Sequence, residues 1–134
     1  MESENLQIVA SQSSRGQKIL SLKGPLNIHT LFEFQDALRS ESSPVLILDF
    51  SDVPYIDSAG LGAVVAGYIS ATKSDRKILS AAFNSQARAL IEMMHVNQLF
   101  RTYCTIQEAV ELSVEQNRAD SSRRTQRTPP VFAC

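Results

Sequence analysis

The chain has 134 residues, 43% of them hydrophobic, the size and composition of one compact domain with a core of its own and too little for two. Its formal charge is −1, but residues 1–116 carry nine Lys and Arg against thirteen Asp and Glu; an acidic body lacks the basic face of a nucleic-acid binder, so no nucleic-acid partner is expected. The longest uncharged stretch, residues 58–72, is only 15 residues, short of the roughly 20 that span a bilayer, and the opening MESENLQ lacks the pattern of a secretory signal, so the chain is expected to be cytoplasmic with no membrane partner.

In chain order, LQIVASQ and QKILSLKG flank SSRG and are rich in near-alternating Ile, Val and Leu. They predict two strands joined at Arg15-Gly16, an opening hairpin. Thr30 with Glu33 three residues on is a capping-box pattern ahead of Leu31, Phe32, Phe34 and Leu38, predicting a helix of about nine residues. PVLILDF is a short, almost unbroken apolar run, the mark of a strand buried on both faces. Ser58 then reads as an N-cap, with Leu61, Val64, Val65, Tyr68, Ile69 and Thr72 at helical spacing behind it. RKILSAAF predicts the next strand, and Ser85 caps QARALIEMM, whose Leu90, Ile91 and Met94 share a face. LFRTYC predicts a short last strand, and Thr105 with Glu108 opens a final helix in IQEAVELSVEQN. Strands alternating with helices imply a largely parallel sheet, with the hairpin supplying an antiparallel pair.

The domain is placed at residues 1–116. Residues 117–134 carry four Arg against one Asp and few apolar side chains, a composition that predicts a disordered basic tail. Cys104 and Cys134 lie far apart and suggest no disulfide framework, so reduced thiols are expected. Two histidines and two cysteines without paired spacing assemble no metal site.

The informative stretch is DFSDVPYIDSAGLGAVVAGY. Opposite the apolar stripe of its helix stand Ala59, Gly62, Ala63, Ala66 and Ser70, with Lys73 at the end. A solvent-facing helix surface normally carries Glu, Lys and Arg. A bare one fits either a protein-docking surface, because small side chains let another backbone approach closely, or a face covered by a further element of the domain.

Three chemical roles compete for Ser58. As a hydrolytic nucleophile it would sit in a G-x-S-x-G elbow, but the sequence is Ile56-Asp57-Ser58-Ala59-Gly60, and neither His29 nor His95 has a motif near it. As part of a nucleotide cradle, GLGAVVAG carries Val65 where the third glycine of the dinucleotide fingerprint belongs, and no Lys-Ser or Lys-Thr pair follows. As a phosphorylation switch, Ser58 would place a charge of about −1.5 to −2 at a helix N-terminus, where backbone N–H groups of Ala59, Gly60 and Leu61 favour it. It would also put that charge beside Asp57, at the edge of a neutral surface that a partner would have to desolvate. A bland role as N-cap alone would contribute about 1 kcal/mol.

YIDSAGLGAVVAGY following VLILDF resembles the STAS domain of bacterial anti-sigma-factor antagonists, whose signature is an acidic residue, a serine, a small residue, then Gly-Leu-Gly. The resemblance runs over about residues 5–115 and includes SQARALIEMMHVNQLFRTY. It implies an α/β, STAS-type fold: a mixed, mostly parallel sheet of four to five strands with an N-terminal antiparallel hairpin and about four helices. It also implies that Ser58 is phosphorylated by a cognate anti-sigma factor that is itself a serine kinase. The unphosphorylated antagonist would bind that factor and free a sigma factor, and a phosphoserine phosphatase would restore the binding form. Asp57 would orient the Ser58 hydroxyl or complement the helix dipole. Ala59 stands where many members have Ser or Thr, leaving Ser58 as the only hydroxyl of the motif.

One loop departs from the pattern. Gly24-Pro25-Leu26-Asn27 stands where the family typically has Gly-Glu-Leu-Asp, so Pro25 removes a carboxylate and an N–H and Asn27 replaces a carboxylate by an amide. The expected surface comprises Asp57, Ser58, Ala59, Gly60, Gly62, Ala63 and Ala66, with Asn27 at its edge. The expected protein is non-enzymatic and monomeric, with no cofactor of its own, the kinase bringing ATP and Mg²⁺. A constitutive scaffold module, or a small-ligand or nucleotide module using the Gly60–Gly62 turn, are the alternatives.

Overall fold

The computed structural model describes residues 5–112 apart from residue 100. The opening hairpin is β1 (Gln7–Gln12) and β2 (Lys18–Lys23), followed by α1 (Leu31–Ser40), β3 (Val45–Asp52), α2 (Ser58–Lys73), β4 (Lys77–Ala81), α3 (Ser85–Met93) and β5 (Arg101–Tyr103). A last helix, α4, occupies residues 106–112. The five strands lie in the order β1-β2-β3-β4-β5, antiparallel between β1 and β2 and parallel thereafter. The α/β fold read from the sequence is therefore the fold observed. The basic tail lies outside the described residues.

Sheet order follows chain order, so the successive β-α-β crossovers share one hand and put α1, α2 and α3 on one face of the sheet. Strand alternation divides the core accordingly. Leu20, Leu22, Leu46, Leu48, Phe50 and Ile78 point to the three helices and meet Phe34, Leu61, Val64 and Ile91. Ile19, Ile47 and Leu79 point the other way and meet Ala109 and Val110 of α4. Both faces of β3 are buried at Leu46, Ile47 and Leu48, as its unbroken apolar run requires. Phe50 and Phe83 stack with ring centroids 4.3 Å apart, closing the core below α3. On the second face, buried Gln17 donates from Nε2 to the carbonyl of Val110 at 3.1 Å and ties α4 to the hairpin.

Three helix starts differ from their expected chemistry. Thr30 precedes α1 but makes no side-chain cap bond; its hydroxyl donates to the Pro25 carbonyl at 2.9 Å and accepts from the Asn27 N–H at 3.0 Å. Asn84 rather than Ser85 caps α3, accepting from the Ala87 N–H at 2.9 Å, and Asp57 rather than Ser58 caps α2. Each Asx-Ser pair holds two competent caps, and the planar Asx oxygen is the one used. Thr105 does cap α4, accepting from the Glu108 N–H, while Glu108 returns a bond to the N–H of Cys104. The expectation of reduced thiols concerns Cys104 and Cys134 together, and Cys134 lies outside the described residues.

His95 has a backbone role. It sits at φ 58° just past α3, where its N–H reaches the Glu92 carbonyl and that of Val96 reaches Ile91, the paired closing bonds of a Schellman motif. An L-residue in this left-handed conformation costs about 1–2 kcal/mol that glycine does not. His95→Gly should therefore raise stability by about 1 kcal/mol, seen as a higher urea midpoint at unchanged slope.

Candidate functional site

The site is built where the β2–α1 loop meets the start of α2. Gly24, at φ +114°, ends β2 in a conformation suited to glycine, and an added Cβ would lie 2.2 Å from the Asn5 carbonyl oxygen. The chain then runs beside β3's exit: Leu26 forms an isolated parallel bridge with Ile56, its N–H donating to Tyr55 at 3.0 Å and its carbonyl accepting from Asp57 at 3.2 Å. Leu26 and Ile56 are both fully buried. From the other side, the Gln86 amide clamps Ile56, accepting from its N–H at 3.0 Å and donating to its carbonyl at 2.9 Å. The residues just before Ser58 are thus fixed by two separate parts of the chain.

Asp57 joins the β2–α1 loop to α2. One carboxylate oxygen accepts from the Gly60 N–H at 2.8 Å as the helix cap, and the other accepts from the Ile28 N–H at 3.2 Å. The cap bond is worth about 1 kcal/mol, and the second bond holds the loop against the helix. Asn27 turns its amide into its own loop, its Oδ1 accepting from the His29 N–H at 2.9 Å. It lies beside the site and keeps the loop in shape.

Ser58 is the first residue of α2, is exposed, and its hydroxyl has no hydrogen-bond partner among the described residues. No imidazole engages it. Of the N–H groups expected to favour a phosphate, that of Gly60 is bonded to the Asp57 carboxylate and that of Leu61 to the Asp57 carbonyl. Those of Ser58 and Ala59 remain as the free donors of the first turn. The Gly60–Gly62 turn is no open phosphate cradle, because Gly60 is buried with its Cα against the Leu26 carbonyl.

The buried stripe of α2 is rotated by roughly a quarter of a turn from its expected position. It comprises Gly60, Leu61, Ala63, Val64 and Ala71, while Ile69 is 44% exposed and Thr72 is also exposed. Small residues stand on both sides of this helix, so size alone does not tell inside from outside. The small ones facing inward let α2 lie close to α1, as at Gly67, where a Cβ would come 2.5 Å from Leu38 Cδ1. Gly60 and Ala63 therefore leave the expected contact surface and Ala59 packs partly against the core. Ser58, Gly62, Ala66, Ile69 and Ser70 form the exposed face.

Two large apolar side chains of this part of the chain are exposed. Ile28, whose N–H is held by Asp57, is 54% exposed, and Phe32, one of the apolar residues that predicted α1, is 67% exposed. Phe32 stands about 100° round the helix from Leu31, and strict spacing from Leu31, Phe34 and Leu38 would have left it outside.

The model of the STAS domain family matches residues 8–109. The chain belongs to the STAS domain family. Among solved structures, this STAS domain is similar to an anti-sigma factor antagonist from Mycobacterium paratuberculosis, with 22% identity and a TM-score of 0.72 over 80% of this chain and 92% of the other. The Bacillus cell fate determinant SpoIIAA in its phosphorylated form matches at 14% identity and a TM-score of 0.61, over 80% and 99%. Murine Slc26a9, an anion transporter, shares the fold at 18% identity and a TM-score of 0.68, over 85% of this chain but 23% of its own. Identities this low establish a common fold. Among the described residues of this STAS domain, no helix is long and apolar enough to cross a membrane, and no group of three or more His, Cys, Asp or Glu could hold a metal ion.

Proposed function

We propose that the protein is an anti-sigma-factor antagonist, a binding module whose partner is an anti-sigma factor with serine kinase activity and whose switch is phosphorylation of Ser58. In this reading the unmodified domain occupies the anti-sigma factor and releases a sigma factor. A phosphoserine phosphatase resets the modified form. The docking surface is the start of α2 with its exposed face, Ser58, Gly62 and Ala66 at the centre, Asp57 and Ala59 partly covered behind them, and Asn27 in the adjoining loop.

The observation that carries this reading is Gly62. It lies in the interior of a helix, is exposed, and an added Cβ would meet nothing within 4 Å. Nothing inside the domain requires glycine there, yet glycine costs a helix about 0.5–1 kcal/mol relative to alanine. A surface that must admit a partner's backbone supplies a reason. Beside it, Ser58 projects a hydroxyl that makes no internal bond, and a dianion there would face the Asp57 carboxylate with only two free N–H groups to compensate.

Gly62→Ala should accordingly raise the urea midpoint by the equivalent of about 0.5–1 kcal/mol while weakening anti-sigma-factor binding by about tenfold. Equal or tighter binding by the stabilised variant would contradict the docking face. The partner itself is tested by capture from the host's lysate on immobilised protein. Wild type and Ser58→Ala should both retain a serine-kinase anti-sigma factor, and Ser58→Asp should not. Equal retention by all three would favour a constitutive scaffold.

A further inference from the structure

The two edges of the sheet are not alike. β5 is three residues long and begins with Arg101, the short and charged kind of edge that resists pairing. β1 is six residues, Gln-Ile-Val-Ala-Ser-Gln, with no charge, no proline and five of its six residues exposed. It is paired to β2 along its whole length without a bulge, so alternate N–H and C=O groups along its other side point away from the sheet. Val9 stands in the middle, 51% exposed, on the sheet face where its row continues through Ser21 to Asp49.

We propose that β1 is the docking edge for a second copy of this chain, the two β1 strands pairing antiparallel about a two-fold axis that passes at Val9. Such an axis stands perpendicular to the sheet and must place one residue opposite itself, because opposed residues point to the same face. Centred on Val9, the register sets Val9 against Val9, Ile8 against Ala10 and Gln7 against Ser11, apolar with apolar and polar with polar. Centred on Ala10, it would oppose Val9 to Ser11 and Ile8 to Gln12. Cross-strand matching selects the first. Ile8 already packs partly on the core below the helices, and the partner's Ala10 would extend that contact. One strand pair covers less surface than a permanent interface needs, so the dimer should form and dissociate with concentration. This association uses neither Ser58 nor the exposed face of α2, and it stands or falls apart from the antagonist reading.

Sedimentation velocity of the full chain over a range of micromolar concentrations tests it, comparing wild type, Val9→Lys and Val9→Thr. The expected result is a monomer–dimer equilibrium for wild type and for Val9→Thr, which stays β-branched. Val9→Lys, placing like charges directly opposite each other, should raise the dissociation constant at least tenfold with an unchanged circular dichroism spectrum and melting temperature. A wild type that stays monomeric at the highest concentration would overturn the proposal, as would a Val9→Lys variant that dimerises as tightly as wild type.

Discussion

Ser58→Asp is expected to weaken binding to the anti-sigma factor by about 100-fold or more, with the melting temperature held within a degree or two. The loss follows from placing an unpaired charge within a surface that a partner must desolvate, a change that costs several kcal/mol at an interface. The fold should tolerate it because Ser58 is the exposed first residue of α2 and not its cap. A carboxylate there gains from the helix N-terminus and is repelled by Asp57, two effects of similar size and opposite sign. Titration calorimetry with the purified anti-sigma factor, beside a thermal melt of the same variant, reads both. Loss of binding together with loss of fold would mean that Ser58 holds the structure up, and retained binding would remove the switch.

Gly60→Ala should do the reverse and act on the fold. An added Cβ would lie 2.3 Å from the Leu26 carbonyl oxygen, 2.8 Å from its carbon and 3.0 Å from Leu26 Cγ. That carbonyl cannot easily move, since it accepts from the Asp57 N–H and belongs to a fully buried residue bridged to Ile56. Relief would require the whole β2–α1 loop to lift, breaking the Ile28 bond to Asp57. The expected loss is about 3 kcal/mol, the upper end of ordinary overpacking, or roughly 10 °C or more in melting temperature. Two glycines two residues apart should thus respond to the same alanine with opposite signs, Gly60 destabilised and Gly62 stabilised, and a thermal melt of the two variants decides it. Stability gained at both would mean that the loop does not rest on α2 as described.

The fold was legible because its signals are local. The unbroken run of β3, the Arg15-Gly16 turn and the spacing of Leu31, Phe34 and Leu38 each determine an element, and alternation of elements determines a parallel sheet. The motif around Ser58 was legible as well, as was the sparsely charged helix behind it. What sequence reading missed depends on tertiary partners. Asp57-Ser58 and Asn84-Ser85 each offer two adequate caps, and only the packed structure decides between them. The rotation of α2 was hidden because Ala and Gly lie on both faces, so that the side meeting α1 and the sheet is set by how closely the backbones approach. Thr30 has a cap's position but its hydroxyl is held by Pro25 and Asn27. The bridge from Leu26 to Ile56 and the clamp from Gln86, some 30 positions distant from Ile56, have no signature in local spacing. These contacts hold the loop carrying Pro25 and Asn27 beside Ser58, so the departure of that loop from the family pattern adjoins the candidate site.

The proposed switch depends on modification of Ser58 in the living cell. Intact-mass analysis of the protein isolated from its native host, with peptide mapping across residues 45–73, tests it most directly. A phosphate on Ser58 is expected in a fraction of molecules that changes with growth conditions. A chain that carries no phosphate at Ser58 under any condition would contradict it.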